Sequence, residues 1–322
     1  MTNREHFKTI LERRSDRCGF WHGMPHEESK TALYSYFNVK NNEELGQKLN
    51  DTFDWICVDL YKDAFDLSQG SAFIHCEDAK EVERFPWPDI KYCCFDGAEK
   101  AVNASLARGK AILSGSWGHF FHILAGYFGM ENYFIKMHTD PDVVLAVTEH
   151  VANFFLQVNE RWFDIIGDRM DALFFGNDFG SQLDLLISPQ MFDKFVMPYF
   201  RRFTQQAKNR GYKVVLHSCG AIDKVIPRLI DAGVDALHPI QAKARGMDAE
   251  SLAKKYNGKI VFIGGVDTQE LLPFKSPLEV REEVKRIKDL FGPNFIVSPS
   301  HEALLPNVPP ENIEAMADEA FK

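Results

Sequence analysis

The stretch Val214-Val215-Leu216-His217-Ser218-Cys219-Gly220 ends an apolar run with an imidazole and a thiol spaced two positions apart. On an extended strand, side chains at i and i+2 share a face, so His217 and Cys219 can reach one ion together. A buried histidine beside a buried free cysteine accounts equally well for the same residues. Imidazole plus thiolate suits zinc, and a zinc site that does chemistry takes three protein ligands and keeps a fourth position open. No cysteine follows Cys219, which leaves His301, Glu302 or an aspartate as the third ligand.

Other apolar runs also end in polar residues: His22, Asp59, Ser116, Asp178, His238 or Gln241, Asp267, and His301 with Glu302. The set is rich in histidine and carboxylate and poor in arginine and lysine, which fits metal binding or proton transfer better than phosphate binding. Helix capping and turn anchoring are the alternatives for Asp59 and Asp178. His119 and His122 share a helical face, but Phe120 and Phe121 between them read as core packing. No phosphate loop and no nucleophile elbow is present, and Gly264-Gly265 reads as a tight turn.

The elements that must position these residues follow a strand–helix rhythm. Apolar runs predict strands at Cys18–Trp21, Trp55–Leu60, Ala111–Gly115, Ala172–Gly176, Val214–His217, Ala236–Ile240, Ile260–Gly264 and Phe295–Ser298. Helices are predicted over Pro189–Arg210, Ile222–Ala232 and Pro277–Phe291, with a last one from Pro309-Pro310-Glu311, from serine caps, first-turn prolines and a terminal glycine. The pattern predicts an α/β fold, a closed (β/α)8 TIM barrel whose chemistry sits at the carboxyl ends of the strands. Residues 1–16 form an N-terminal helical extension, with its helix over Thr2–Arg14, and residues 62–103 form an inserted hairpin or lid. Residues 1–322 then constitute a single domain.

The chain has 322 residues, 45% of them hydrophobic, and a net charge of −9, which argues against a nucleic-acid partner. No apolar run is long enough to span a bilayer, and the amino terminus lacks the apolar region of a signal peptide. Six scattered cysteines do not resemble a disulfide framework, so the expected location is cytoplasmic.

Several segments resemble the uroporphyrinogen decarboxylase superfamily, which includes zinc- and corrinoid-dependent methyltransferases. They are Phe53-Asp54-Trp55-Ile56-Cys57-Val58-Asp59, Gly126-Tyr127-Phe128-Gly129-Met130-Glu131-Asn132, Leu186-Ile187-Ser188-Pro189-Gln190-Met191-Phe192, His217-Ser218-Cys219-Gly220, Ala232-Gly233-Val234-Asp235-Ala236-Leu237, and Ser300-His301 with Val308-Pro309-Pro310-Glu311-Asn312-Ile313. The resemblance implies the same barrel and two branches of chemistry. In the decarboxylase branch, which uses no metal, Asp59 and His301 match catalytic residues and Tyr127 is an approximate match for a tyrosine. That branch also carries an arginine pair after the first strand, where this chain reads His22-Gly23-Met24-Pro25-His26. Losing guanidinium forks removes bidentate anchors for a polycarboxylated tetrapyrrole.

In the methyltransferase branch, His217 and Cys219 match the first two zinc ligands, and His301-Glu302 stands where a later cysteine would complete the set. This branch is the closer likeness. It implies a methyl group moved between a small molecule and a corrinoid such as methylcobalamin. Asp178, Gln182, Gln241 and Asp267 would line the substrate pocket, with Asp59 as acid/base or polar anchor. A corrinoid protein would be the partner, and a homodimer stays open. A non-catalytic barrel that binds a tetrapyrrole or corrinoid is the reading from another class.

Overall fold

A computed structural model describes residues 1–58 and 72–322. Its centre is a sheet of eight parallel strands: β1 (Gly19–Phe20), β2 (Phe53–Cys57), β3 (Ala111–Gly115), β4 (Ala172–Gly176), β5 (Lys213–His217), β6 (Ala236–Ile240), β7 (Val261–Val266) and β8 (Phe295–Pro299). Their spatial order is β1-β8-β7-β6-β5-β4-β3-β2, a (β/α)8 barrel with helices outside it. The strands are apolar on both faces because both faces are buried. Inward residues Phe53, Leu113, Phe174, Val215, Ala236, Ile263 and Ile296 form one cluster, while outward residues such as Leu173, Val214, Leu216 and Val297 join the helices in a second.

The edge strands meet without a ladder. The Thr52 amide donates to the Phe20 carbonyl at 2.8 Å, and the Phe20 amide donates to Thr52 Oγ1 at 2.9 Å. The amino-terminal helix, Asn3–Leu11, is capped by Thr2 in a capping box with Glu5. Its Phe7, Ile10 and Leu11 belong to the inward cluster, so this helix plugs the amino end of the barrel.

The predicted strands and observed ones coincide closely. β2 begins at Phe53, two residues ahead of its predicted start, and Asp59 and Leu60 lie outside the described residues. The predicted helix 189–210 is two helices, Pro189–Phe195 and Met197–Asn209, because Pro198 supplies no amide to continue the first. Ile222–Ala232 likewise opens as a 3-10 turn over Asp223–Val225 and becomes α-helical at Ile226–Asp231, with Pro227 in its first turn. Of the insertion, residues 72–103 hold short helices at Ala79–Val82 and Ile90–Tyr92 and the start of Asp96–Ala107, and no strand, so the hairpin is not there. Residues 62–71 lie outside the described set. Among the described residues, no helix is long and apolar enough to cross a membrane.

Candidate functional site

The loops after β4 and β5 are laced together. Asn177 N–H donates to the His217 carbonyl, Phe179 N–H to Ser218 Oγ, and Ala221 N–H to the Ser181 carbonyl. Where the loops cross, backbone meets backbone: a Cβ on Gly220 would lie 2.2 Å from the Gly180 carbonyl oxygen. Only glycine permits that approach at Gly220's φ of +89°. The crossing brings Asp178 to Cys219, whose amide donates to Asp178 Oδ1 at 2.8 Å.

His217, on the inward face at the end of β5, is the hub. Its Nε2 lies 3.5 Å from Cys219 Sγ and 3.3 Å from Asp178 Oδ1. Its Nδ1 lies 3.1 Å from His238 Nδ1 and 3.7 Å from Glu302 Oε2. Trp117 packs 5.2 Å from the His217 ring. The indole has room because β4 ends in Gly176, where a Cβ would stand 2.2 Å from the Trp117 ring.

The spacing on the Nε2 side matches a tetrahedral ion. Bonds of about 2.0–2.1 Å to nitrogen, 2.0–2.2 Å to oxygen and 2.3 Å to sulfur separate nitrogen from sulfur by roughly 3.5 Å and nitrogen from oxygen by roughly 3.3 Å. Asp178, His217 and Cys219 thus offer three donors of the zinc-binding kind to one point. Glu302 and His238 form a second group with His217, but through its other nitrogen.

The carboxylates of Asp178 and Glu302 surround the group with negative charge. Burial, then the carboxylates of Asp178 and Glu302, push the Cys219 thiol far up. Burial opposes ionisation of Asp178 too, yet the hydrogen bond and charge of His217, the Cys219 amide and His122 hold it at about 2. A cation held between them would offset the carboxylate charge and let the thiol ionise.

The remaining predicted residues sit as follows. His301 is close to Glu302, 3.6 Å from its carboxylate, and its Nδ1 accepts from the Ala303 amide. On the Nε2 side of His217 stands Asp178, while Glu302 approaches His217 from its Nδ1 side and His301 lies beside Glu302. Gln241 Oε1 accepts from the Gly220 amide at 2.6 Å and braces the loop. Asp267 accepts from the amides of Gln269, Glu270 and Leu271, a turn-capping task that occupies its carboxylate. Gln182 is exposed, with its carbonyl accepting from Arg245 N–H. Tyr127 is buried among Phe73, Phe85 and Trp87. His22 is buried against Asp51 and Asn42. Asp59 is outside the described residues.

Two participants differ from expectation. His122 is not core: its Nε2 is 3.7 Å from Asp178 and its side chain is 40% exposed. Its partner His119 is half-buried, held near 4 by desolvation and the neighbouring His122. His238, an alternative to Gln241 in the strand-end reading, is the residue in direct contact with His217.

Residues 108–322 match the family model described as uroporphyrinogen decarboxylase (URO-D). Human uroporphyrinogen decarboxylase is 29% identical over 145 residues, which cover 42% of this chain and 37% of that protein's length. A methyltransferase from Methanosarcina mazei has the same fold, with a TM-score of 0.66 at 13% identity, covering 99% of this chain and 98% of that one.

Proposed function

The chain belongs to the uroporphyrinogen decarboxylase family, and within it we propose a zinc-dependent methyltransferase that moves a methyl group between a small molecule and a corrinoid. The observation that carries this reading is the convergence of Asp178, His217 and Cys219 at donor spacings that suit one tetrahedral ion. His217 and Cys219 would hold zinc, with Asp178 as third ligand in place of the His301 or Glu302 that the family likeness suggests. Zinc bound there supplies Lewis acidity, lowering the pKa of a thiol or polarising an ether oxygen.

The protein's own groups then have definite tasks. Asp178, ionised and fixed by the Cys219 amide, keeps Cys219 and His217 in register. Trp117 walls one side of His217. Glu302, whose Oε2 has no hydrogen-bond partner among the described residues, would serve as a general base beside His217. The corrinoid is a co-substrate, carried to the mouth of the barrel by a partner protein.

Decarboxylation of a polycarboxylated tetrapyrrole is a weaker fit. The residue following β1 and Trp21 is His22, with both ring nitrogens engaged by Asp51 and Asn42, so it offers substrate carboxylates no donor.

Metal analysis of wild type and Cys219→Ser tests the reading. Stoichiometric zinc in wild type and its loss from the variant are expected. Wild-type protein that neither carries zinc nor takes it up on dialysis overturns it.

A further inference from the structure

His238 lies in the wall of the barrel one strand from His217, fully buried, with its ring wedged edge-on against Trp21 at 5.2 Å and Phe174 at 5.6 Å. Its carbonyl accepts from the Ser218 amide at 2.8 Å, and its Nδ1 meets His217 Nδ1 at 3.1 Å. Two imidazole nitrogens at that distance hold one proton between them, whichever ring owns it. The other ring nitrogen of His238, Nε2, has no partner among the described residues.

We infer that His238 is the positioning residue that sets the tautomer of His217 for metal binding. The inference rests on the zinc reading given above. A cation on His217 Nε2 needs the lone pair there, so the proton between the rings must sit on His217 Nδ1 and His238 Nδ1 must accept it. His238 then carries its own proton on Nε2. Without a cation the arrangement reverses: His217 Nε2–H points at Asp178 Oδ1, 3.3 Å away, and His238 Nδ1–H donates to His217. The two rings change tautomer together when the metal arrives. Trp21 and Phe174 prevent the His238 ring from turning away. Glu302 is the competing acceptor, but its carboxylate stands 3.7 Å from His217 Nδ1, outside hydrogen-bond reach.

Zinc affinity measured by chelator competition separates these roles. His238→Phe keeps an aromatic ring of similar size but cannot accept a proton, and it should weaken zinc binding about 10–100-fold, the usual cost of losing an outer-shell partner. His238→Asn puts an amide oxygen where Nδ1 was and should recover most of the loss. Equal affinity in His238→Phe and wild type overturns the role of His238. So does a loss seen in Glu302→Gln and not in His238→Phe. Wild-type protein that binds no zinc defeats the functional reading instead. Nitrogen NMR of the unmutated, zinc-loaded protein gives a second readout that does not depend on a variant folding. A bare Nδ1 and protonated Nε2 on His238 are expected, and a protonated Nδ1 overturns the inference.

Discussion

Gly220 stands at φ +89° with the Gly180 backbone where its side chain would be, and that contact decides whether Asp178 and Cys219 meet. Gly220→Ala adds a strained backbone conformation, roughly 1–2 kcal/mol, and an overpacked contact, roughly 1–3 kcal/mol. Urea unfolding should therefore record a loss of about 2–5 kcal/mol, together with weaker zinc binding. A variant as stable as wild type would show that the loops part without cost. The same crossing explains what the sequence conceals. His217 and Cys219 are legible because they are two residues apart on one strand. Asp178 lies forty-one residues from Cys219, and nothing in either local pattern reports that their loops touch. His122 hides for a different reason: preceded by Phe120 and Phe121 it has the setting of a core residue, and only the direction of its helix turns it toward Asp178.

At the level of elements, the signals that could be read are the ones that act locally. The helix Pro277–Phe291 begins with a capping box in which the Glu279 amide donates to Ser276 Oγ and the Ser276 amide donates to Glu279 Oε2. Those four residues are contiguous, so the start is visible in the sequence. The helix lays Val280, Val284, Ile287 and Phe291 onto the barrel, with Ile287 set against the close backbone of Gly265. Ser276→Ala removes the cap and should cost about 1 kcal/mol in urea unfolding; a change under a few tenths would mean that Glu279 and water satisfy the helix end unaided. Parallel strands were equally legible, since burial on both faces leaves an unbroken apolar run. The break at Pro198 and the helices of 72–103 were not. A periodic apolar pattern continues across Val196–Met197 although Pro198 has no amide to extend the first helix, and acidic-aromatic composition does not distinguish a hairpin from short helices packed by Phe85 and Trp87.

The whole molecule depends on a seam. Seven of the eight strand junctions are ladders, whereas β1 and β2 are joined through Thr52, Phe20 and the buried pair His22–Asp51. His22 N–H and Nδ1 both address the Asp51 carboxylate, the latter at 2.6 Å, while Nε2 faces Asn42 Oδ1 at 3.0 Å. With oxygen acceptors at both ring nitrogens, the surroundings of His22 favour the imidazolium. Burial disfavours that charge, but Asp51, Asn42 and the more distant Asp54 outweigh it and raise its pKa. Lys110 adds a bond to the Asp51 carbonyl on the same side of the seam. Because the folded pKa is raised, the folded protein binds more protons than the unfolded chain above about pH 6.5, the ordinary histidine value. Stability from this pair is therefore complete below that pH and is lost as pH rises through the folded value. Hydrogen-exchange protection of the Thr52 amide, which closes the seam, should decline from about pH 6.5 upward, and the decline should be flattened in His22→Gln, where the titrating group is gone. Protection that is constant with pH in the wild type, or that falls equally in the variant, would mean that the barrel closes without the charge on His22.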